Sequence, residues 1–212
     1  MRELRVVLIG GTSSVGKTTA AHLVAKQLGF ECRSTDGLAK HPGRPWRTPG
    51  RNVPAHVADH YISLGVDELV ASVLGHYESL WPRIEELITA HAAGDSPRVG
   101  LVLEGSALWP TRVAALRTSH TAAIWLTAPE ATLRDRIHTA SHYPDATPQE
   151  RHLIDKFLSR TTRYQALVVD VLDRLQLDRV NTSSGQLPRP LAATLLTAAE
   201  AQETVGRSAA MG

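Results

Sequence analysis

Residues 4–18 read Leu4-Arg5-Val6-Val7-Leu8-Ile9-Gly10-Gly11-Thr12-Ser13-Ser14-Val15-Gly16-Lys17-Thr18. An apolar run leads directly into a glycine-bounded loop. Beyond it Ala20, Ala21, Leu23, Val24, Ala25 and Leu28 recur at helical spacing. The run predicts a buried strand, the loop an anion cradle, and the stretch after it a helix beginning near Lys17. Each residue type has a physical reason. Glycine at 11 and 16 lets the backbone turn tightly and approach an anion with no Cβ in the way. The N–H groups of the loop from Gly11 through Thr12, Ser13, Ser14, Val15 and Gly16 to Lys17, Thr18 and Thr19 then face inward. The following helix adds the positive end of its dipole. Lys17 can reach the β- and γ-phosphates and the Thr18 hydroxyl can ligate a metal. The stretch therefore predicts a nucleoside triphosphate with magnesium as the ligand class.

Composition sets the outer limits. A chain of 212 residues suits one α/β domain with a substantial core. Hydrophobic residues make up 42% and charged residues 21%, an ordinary globular balance. No run reaches the roughly 18 consecutive apolar residues of a membrane span. Met1-Arg2-Glu3 runs straight into the first strand, so no signal peptide is expected. The single Cys32 rules out an internal disulfide and fits a cytoplasmic setting. A net charge of +2 with no basic run or basic/aromatic stripe argues against nucleic acid. The expected partner is a small molecule, with no membrane, and the protein itself a monomer or homodimer.

Strand and helix patterns alternate along the chain, the signature of a parallel sheet with helices on both faces. A second strand is expected at Phe30–Ser34, a third at Val99–Leu103, a fourth at Thr121–Leu126 and a short fifth at Asp178–Asn181. Residues 37–54 form a long loop punctuated by prolines and glycines; loops of this length are usually functional or disordered. Helical periodicity returns from Ala55 to Ala93, and Pro82 is expected to start a new helix there or to kink a long one. Further helices are expected from Pro129, from Pro148 to Leu175 and from Pro190 to Gln202. Residues 139–149 between two of them are polar and turn-rich. A single domain over 1–203 with a frayed tail at 204–212 follows.

The chain at this point resembles the P-loop kinases of the nucleoside monophosphate kinase type, which include shikimate kinase, gluconate kinase and chloramphenicol phosphotransferase. The resemblance runs over residues 4–183 and is sharpest in the loop 11–18. Further matches are Ser34-Thr35-Asp36, Leu101-Val102-Leu103-Glu104-Gly105, Leu133-Arg134-Asp135-Arg136, and the Arg-x-x-x-Tyr of Arg160 and Tyr164. The Glu-Gly ending and Lys156-Phe157-Leu158-Ser159-Arg160 look most like the 2-phosphoglycerate kinase-like group. The resemblance implies a three-layer α/β sandwich: five parallel strands with the P-loop strand in the middle, helices on both faces, ligands at the carboxyl ends of the strands and a short lid near 139–149. It also implies ATP as the nucleotide and an acceptor-binding region over 36–95.

Phosphoryl transfer asks a protein to align the acceptor, neutralise charge on the γ-phosphoryl group and exclude water. In the related kinases an aspartate at the place of Asp36 contacts the acceptor hydroxyl or a metal-bound water, which suits a general base; a plain turn or N-cap aspartate is the alternative. Glu104 ends a buried strand, where a carboxylate can hold magnesium through water or bind the acceptor, and Gly105 leaves room beside it. Arg136 stands where the family's lid begins, and Arg160 and Arg163 lie one turn apart after the lid. Arg136 and Arg160 are the expected catalytic cations, though arginines on helices are more often surface residues. The lid carries His142 and Tyr143 where adenylate kinase is arginine-rich.

Lys40, His41, Arg44, Arg47 and Arg51 crowd the loop after Asp36, with Trp46 among them. They suggest an anionic acceptor, or simply a solvated loop. His56 and His60 share a helix face but lack an evident third ligand for a metal. Asn181 and Thr182 sit where the family's base-contacting loop begins. The leading expectation is a magnesium-dependent kinase moving the γ-phosphate of ATP to a small, anionic acceptor. An antibiotic or nucleotide phosphotransferase and a nucleotide-binding regulatory ATPase are the alternatives.

Overall fold

The computed structural model describes residues 4–38, 43–48, 50, 52–93, 99–116, 118–182 and 188–210, with side chains as far as Gln202. Its centre is β1, Val6–Gly11, every residue of which is buried. β2 (Glu31–Ser34), β3 (Leu101–Glu104), β4 (Thr121–Thr127) and β5 (Arg179–Asn181) complete the sheet. All pairings are parallel and the order is β2-β3-β1-β4-β5. The expected three-layer α/β fold with the loop strand in the middle is what the chain adopts. β1 needs helices on both sides because its side chains point both ways. Val7 and Ile9 join a core with Ala20, Val24, Leu133 and Leu195. Val6 and Leu8 join the opposite core with Ile84, Ile88, Trp125 and Leu172.

The first helix, α1 (Lys17–Leu28), is bounded by left-handed glycines, Gly16 at φ 98° and Gly29 at φ 69°. The break within the helical stretch from Ala55 to Ala93 falls at Leu64 and Gly65 rather than at Pro82. α2 covers Ala55–Ser63, the chain turns at Leu64 and Gly65, and α3 runs over Val66–Ala92. The Gly65 N–H donates to the Glu68 carboxylate at 2.7 Å, which caps α3. Pro82 neither starts a helix nor interrupts one. The backbone bond it removes is offset by burial of Leu80, Trp81 and Ile84 beside it. β3 begins two residues later than expected, since Val99 is exposed and outside the ladder. A short helix, α4 (Pro110–Ala114), follows β3.

After β4 come α5 (Glu130–Ser141) and α6 (Pro148–Leu175). The expected lid at 139–149 is smaller than that. Residues 139–141 finish α5 and 148–149 begin α6, leaving a turn around Tyr143–Asp145. The turn is tied down: the Tyr143 ring stacks on His138 at 3.9 Å, its hydroxyl donates to Asp155, and Arg151 donates to the carbonyls of Tyr143 and Pro144. Thr147 and Glu150 then cap α6 reciprocally. The last helix, α7, spans Pro188–Ala210 and continues through the stretch expected to fray. Extending a formed helix costs little per residue. Among the described residues no helix is long and apolar enough to cross a membrane.

One close approach sets the spacing at the centre of the sheet. A Cβ on Gly10 would fall inside the Trp125 indole, whose N–H donates to the Leu108 carbonyl at 3.0 Å. Gly10→Ala should therefore lower unfolding free energy by about 1–3 kcal/mol, the usual cost of overpacking, read by urea denaturation.

Candidate active site

Parallel register brings the chemistry to one sheet edge. Ile9, near the end of β1, stands side by side with Glu104 and Ser34, the last residues of β3 and β2. The loop after Ile9 curls with positive φ at Gly11, Ser14 and Gly16. A Cβ on Gly11 would strike the Leu126 carbonyl, so only glycine fits there. Lys17 is buried, and its Nζ donates to the Thr12 carbonyl at 2.7 Å and the Ser106 hydroxyl at 3.3 Å. Burial lowers its pKa below the ordinary lysine value; Glu104 and Asp36 oppose that shift and Arg44 adds to it. The Thr18 hydroxyl donates to the buried Glu104 carboxylate at 3.0 Å. Two hard oxygen donors thus lie together beside the loop. That fits magnesium, which takes one or two protein oxygens and keeps its waters. Among the described residues no three His, Cys, Asp or Glu side chains gather as a separate metal cluster, so His56 and His60 remain a pair.

A cavity of about 160 Å³ opens beside Ser106, the partner of Lys17. Ser13, Thr35, Asp36 and Ser106 line it on the sheet side, Arg44 on the loop before α2, His76 and Tyr77 on α3, and Phe157 and Arg160 on α6. Asp36 lies in a single 3-10 turn, Thr35–Gly37, and is exposed toward the opening. Gly105 has φ 156°, and a Cβ there would overlap the Thr35 side chain. That glycine lets the turn carrying Asp36 close on the end of β3. The Thr35 hydroxyl is buried and has no hydrogen-bond partner among the described residues, so a donor and acceptor wait at the cavity wall. Tyr164 donates to the Ser106 carbonyl at 2.5 Å and fixes the residue that contacts Lys17. Burial drives the Tyr77 hydroxyl up to about 12, which keeps it a neutral hydrogen-bonding group.

Arg136 lies on another flank. It donates to the Ser14 carbonyl at 3.1 Å and to the Thr182 hydroxyl at 3.3 Å, and burial lowers its pKa. Thr182, buried just past β5, also lies 3.2 Å from the Val15 carbonyl. Arg136 and Thr182 thus brace the outside of the loop, whereas Arg160 lines the cavity. The two arginines expected to share one task occupy two places. Asn181 is an exposed residue of β5, and Thr182 is the residue that reaches the loop.

Other expected residues stand apart. Arg47 pairs with Glu150 at 2.8 Å beside a separate, outer groove rather than with Asp36. Arg163 pairs with Asp67 on the surface. Lys40 and Arg51 lie outside the described residues. Sequence reading missed Ser106, His76, Tyr77 and Tyr61. Only the Arg160-to-Tyr164 spacing pointed toward this face of α6.

Comparison with known proteins agrees with this fold. A model of the AAA domain family matches residues 7–158. Among solved structures, an unliganded sugar kinase from Janibacter sp. HTCC2649 superposes with a TM-score of 0.55 at 19% identity, over 95% of this chain and 97% of that one. A gluconokinase from Sinorhizobium meliloti 1021 gives 0.53 at 16% identity, over 95% and 97%. A shikimate kinase from Aquifex aeolicus gives 0.52 at 11%, over 93% and 97%. At such identities the likeness is one of fold. None of the curated proteins matches the chain significantly.

The buried Lys17 ammonium yields a prediction about stability. Its pKa is depressed in the folded state, so above that folded value the unfolded chain holds the proton more firmly, and the cost of burying the charge falls as pH rises toward 10.5. Lys17→Met should therefore leave the ligand-free protein at least as stable as wild type near neutral pH. That advantage should shrink in alkaline buffer. Melting temperatures of both proteins across pH 7–10 check the sign.

Proposed function

This chain belongs to the AAA domain family, and from that premise we propose that it is a magnesium-dependent kinase that transfers the γ-phosphate of ATP to a small anionic acceptor. The observation that carries the reading is the cavity in which Asp36 shares walls with Arg44, Arg160 and Ser106, the partner of the buried Lys17. A bare nucleotide switch has no need of a second, cation-lined chamber at the end of its phosphate loop. Similar folds among a sugar kinase, a gluconokinase and a shikimate kinase support the same reading.

In this reading the amides from Gly11 to Thr19 hold the triphosphate tail and Lys17 answers its terminal charge. The Thr18 hydroxyl and Glu104 would hold magnesium, which supplies charge neutralisation to the transferring group. Arg136 and Thr182 keep the loop in shape from outside. Asp36 accepts the proton of the acceptor hydroxyl, and Arg44 and Arg160 take its anionic group. The size of the chamber favours a compact acceptor over a nucleotide, since pockets for drug-sized ligands start near about 300 Å³.

The experiment is ATP turnover with magnesium against a panel of hydroxylated carboxylates, sugar acids and phosphorylated small metabolites. One class should raise a slow basal hydrolysis at least about a hundredfold, the scale of an aligned general base. A turnover unresponsive to every acceptor would instead favour a regulatory ATPase. Lys17→Ala should abolish transfer. Asp36→Asn should cut kcat about 10²-fold or more and move the KM for ATP little, because its task is the acceptor proton. Steady-state kinetics with both substrates varied separates these outcomes.

A further inference from the structure

α6 presents a row of polar groups four residues apart toward the acceptor side. Lys156 donates to the carbonyls of Tyr61, Ile62 and Leu64 at 2.8, 3.2 and 2.8 Å and so completes the end of α2. Four residues on, Arg160 donates through Nη1 to the Tyr61 hydroxyl at 2.9 Å. That hydroxyl in turn donates to the Gly43 carbonyl at 3.0 Å, on the acceptor loop. Tyr61 is fully buried and Arg160 nearly so. The Arg160 guanidinium also lies 4.6 Å from the Phe157 ring centre and 5.9 Å from that of Tyr61. A buried guanidinium has many torsional options and a high cost for leaving its donors unpaired. Here one hydroxyl fixes its direction and simultaneously ties it to the loop that carries Arg44, which lines the same cavity.

We propose that Tyr61 is a positioning residue that aims the Arg160 guanidinium into the acceptor cavity and couples it to the acceptor loop through Gly43. It rests on the reading of that cavity as the acceptor site. The phenol oxygen uses both of its capacities, accepting from Arg160 and donating to Gly43, so it reports the position of the loop to the arginine. Phenylalanine at 61 keeps the ring against Phe157, whose centroid is 6.2 Å away, and deletes only the hydroxyl.

The test has one arm that needs no activity. In protein labelled with ¹⁵N-arginine, the Arg160 Nη protons should give separate, slowly exchanging signals in wild type, identified by their absence from Arg160→Lys. In Tyr61→Phe they should average or vanish. Identical Arg160 signals in both proteins would overturn the proposal. The kinetic arm uses whichever acceptor stimulates wild type. Tyr61→Phe should lower kcat/KM for that acceptor at least about tenfold, the scale of a buried hydrogen bond to a charged group, with the KM for ATP changed less than about twofold. Combining Tyr61→Phe with Arg160→Lys should add little to the loss from Arg160→Lys alone. Fully additive losses would mean that Tyr61 acts only through packing, and would also sink the idea. Should no acceptor stimulate wild type, the kinase reading fails by itself, and the spectroscopic arm still decides whether Tyr61 aims Arg160.

Discussion

An ammonium group held out of water at the end of the central strand is the constraint around which this molecule is arranged. Lys17 is buried, and burial of a charge is tolerated only where compensating groups stand close. Those groups arrive from three strands at once. The Thr12 carbonyl follows β1, Ser106 and Glu104 come from the end of β3, and Asp36 from the turn after β2. Their convergence depends on the parallel register in which Ile9, Glu104 and Ser34 are neighbours. A slip of one residue would turn every side chain of the slipped strand to the opposite face and remove the carboxylate from Thr18. Glycines at 10, 11 and 105 are where that register is made sterically possible.

The second organising element is α6, which touches each functional region in turn. Lys156 holds α2, Arg160 lines the cavity, the Thr161 carbonyl accepts from the Thr12 hydroxyl, and Tyr164 holds Ser106. One helix thus relates the phosphate loop to the cavity beside it.

The fold and the phosphate loop could be read from sequence because both are written locally. A strand of Val and Leu, a glycine-bounded loop and an alanine-rich helix follow one another within 25 residues. Glu104 and Asp36 were legible for a related reason, since strand ends in a parallel sheet fall on one edge. The lining of the cavity was only partly legible. Arg44 and Arg160 were expected and do share a cavity, but so were Arg47 and Arg163, which pair with Glu150 and Asp67. Counting cations along a loop or helix does not tell which will meet a carboxylate from elsewhere in the chain. Ser106, His76, Tyr77 and Tyr61 matter through contacts of long sequence separation, and no local pattern announces them. The lid shrank for a comparable reason. Its polar residues looked unstructured until helix caps at Thr147 and stacking on His138 claimed them.

The clasp of Lys156 over the end of α2 bears on how the molecule comes into being. Tyr61 precedes that ammonium by 95 residues. A nascent chain emerging from the ribosome therefore exposes α2 long before the side chain that finishes its last turn has been synthesised. β1 and α1 are contiguous in sequence, whereas the cavity wall supplied by α6 must wait for the C-terminal third. Assembly would then proceed from β1 and α1 toward α6, and truncation before α6 would leave the cavity without the wall that Phe157 and Arg160 supply.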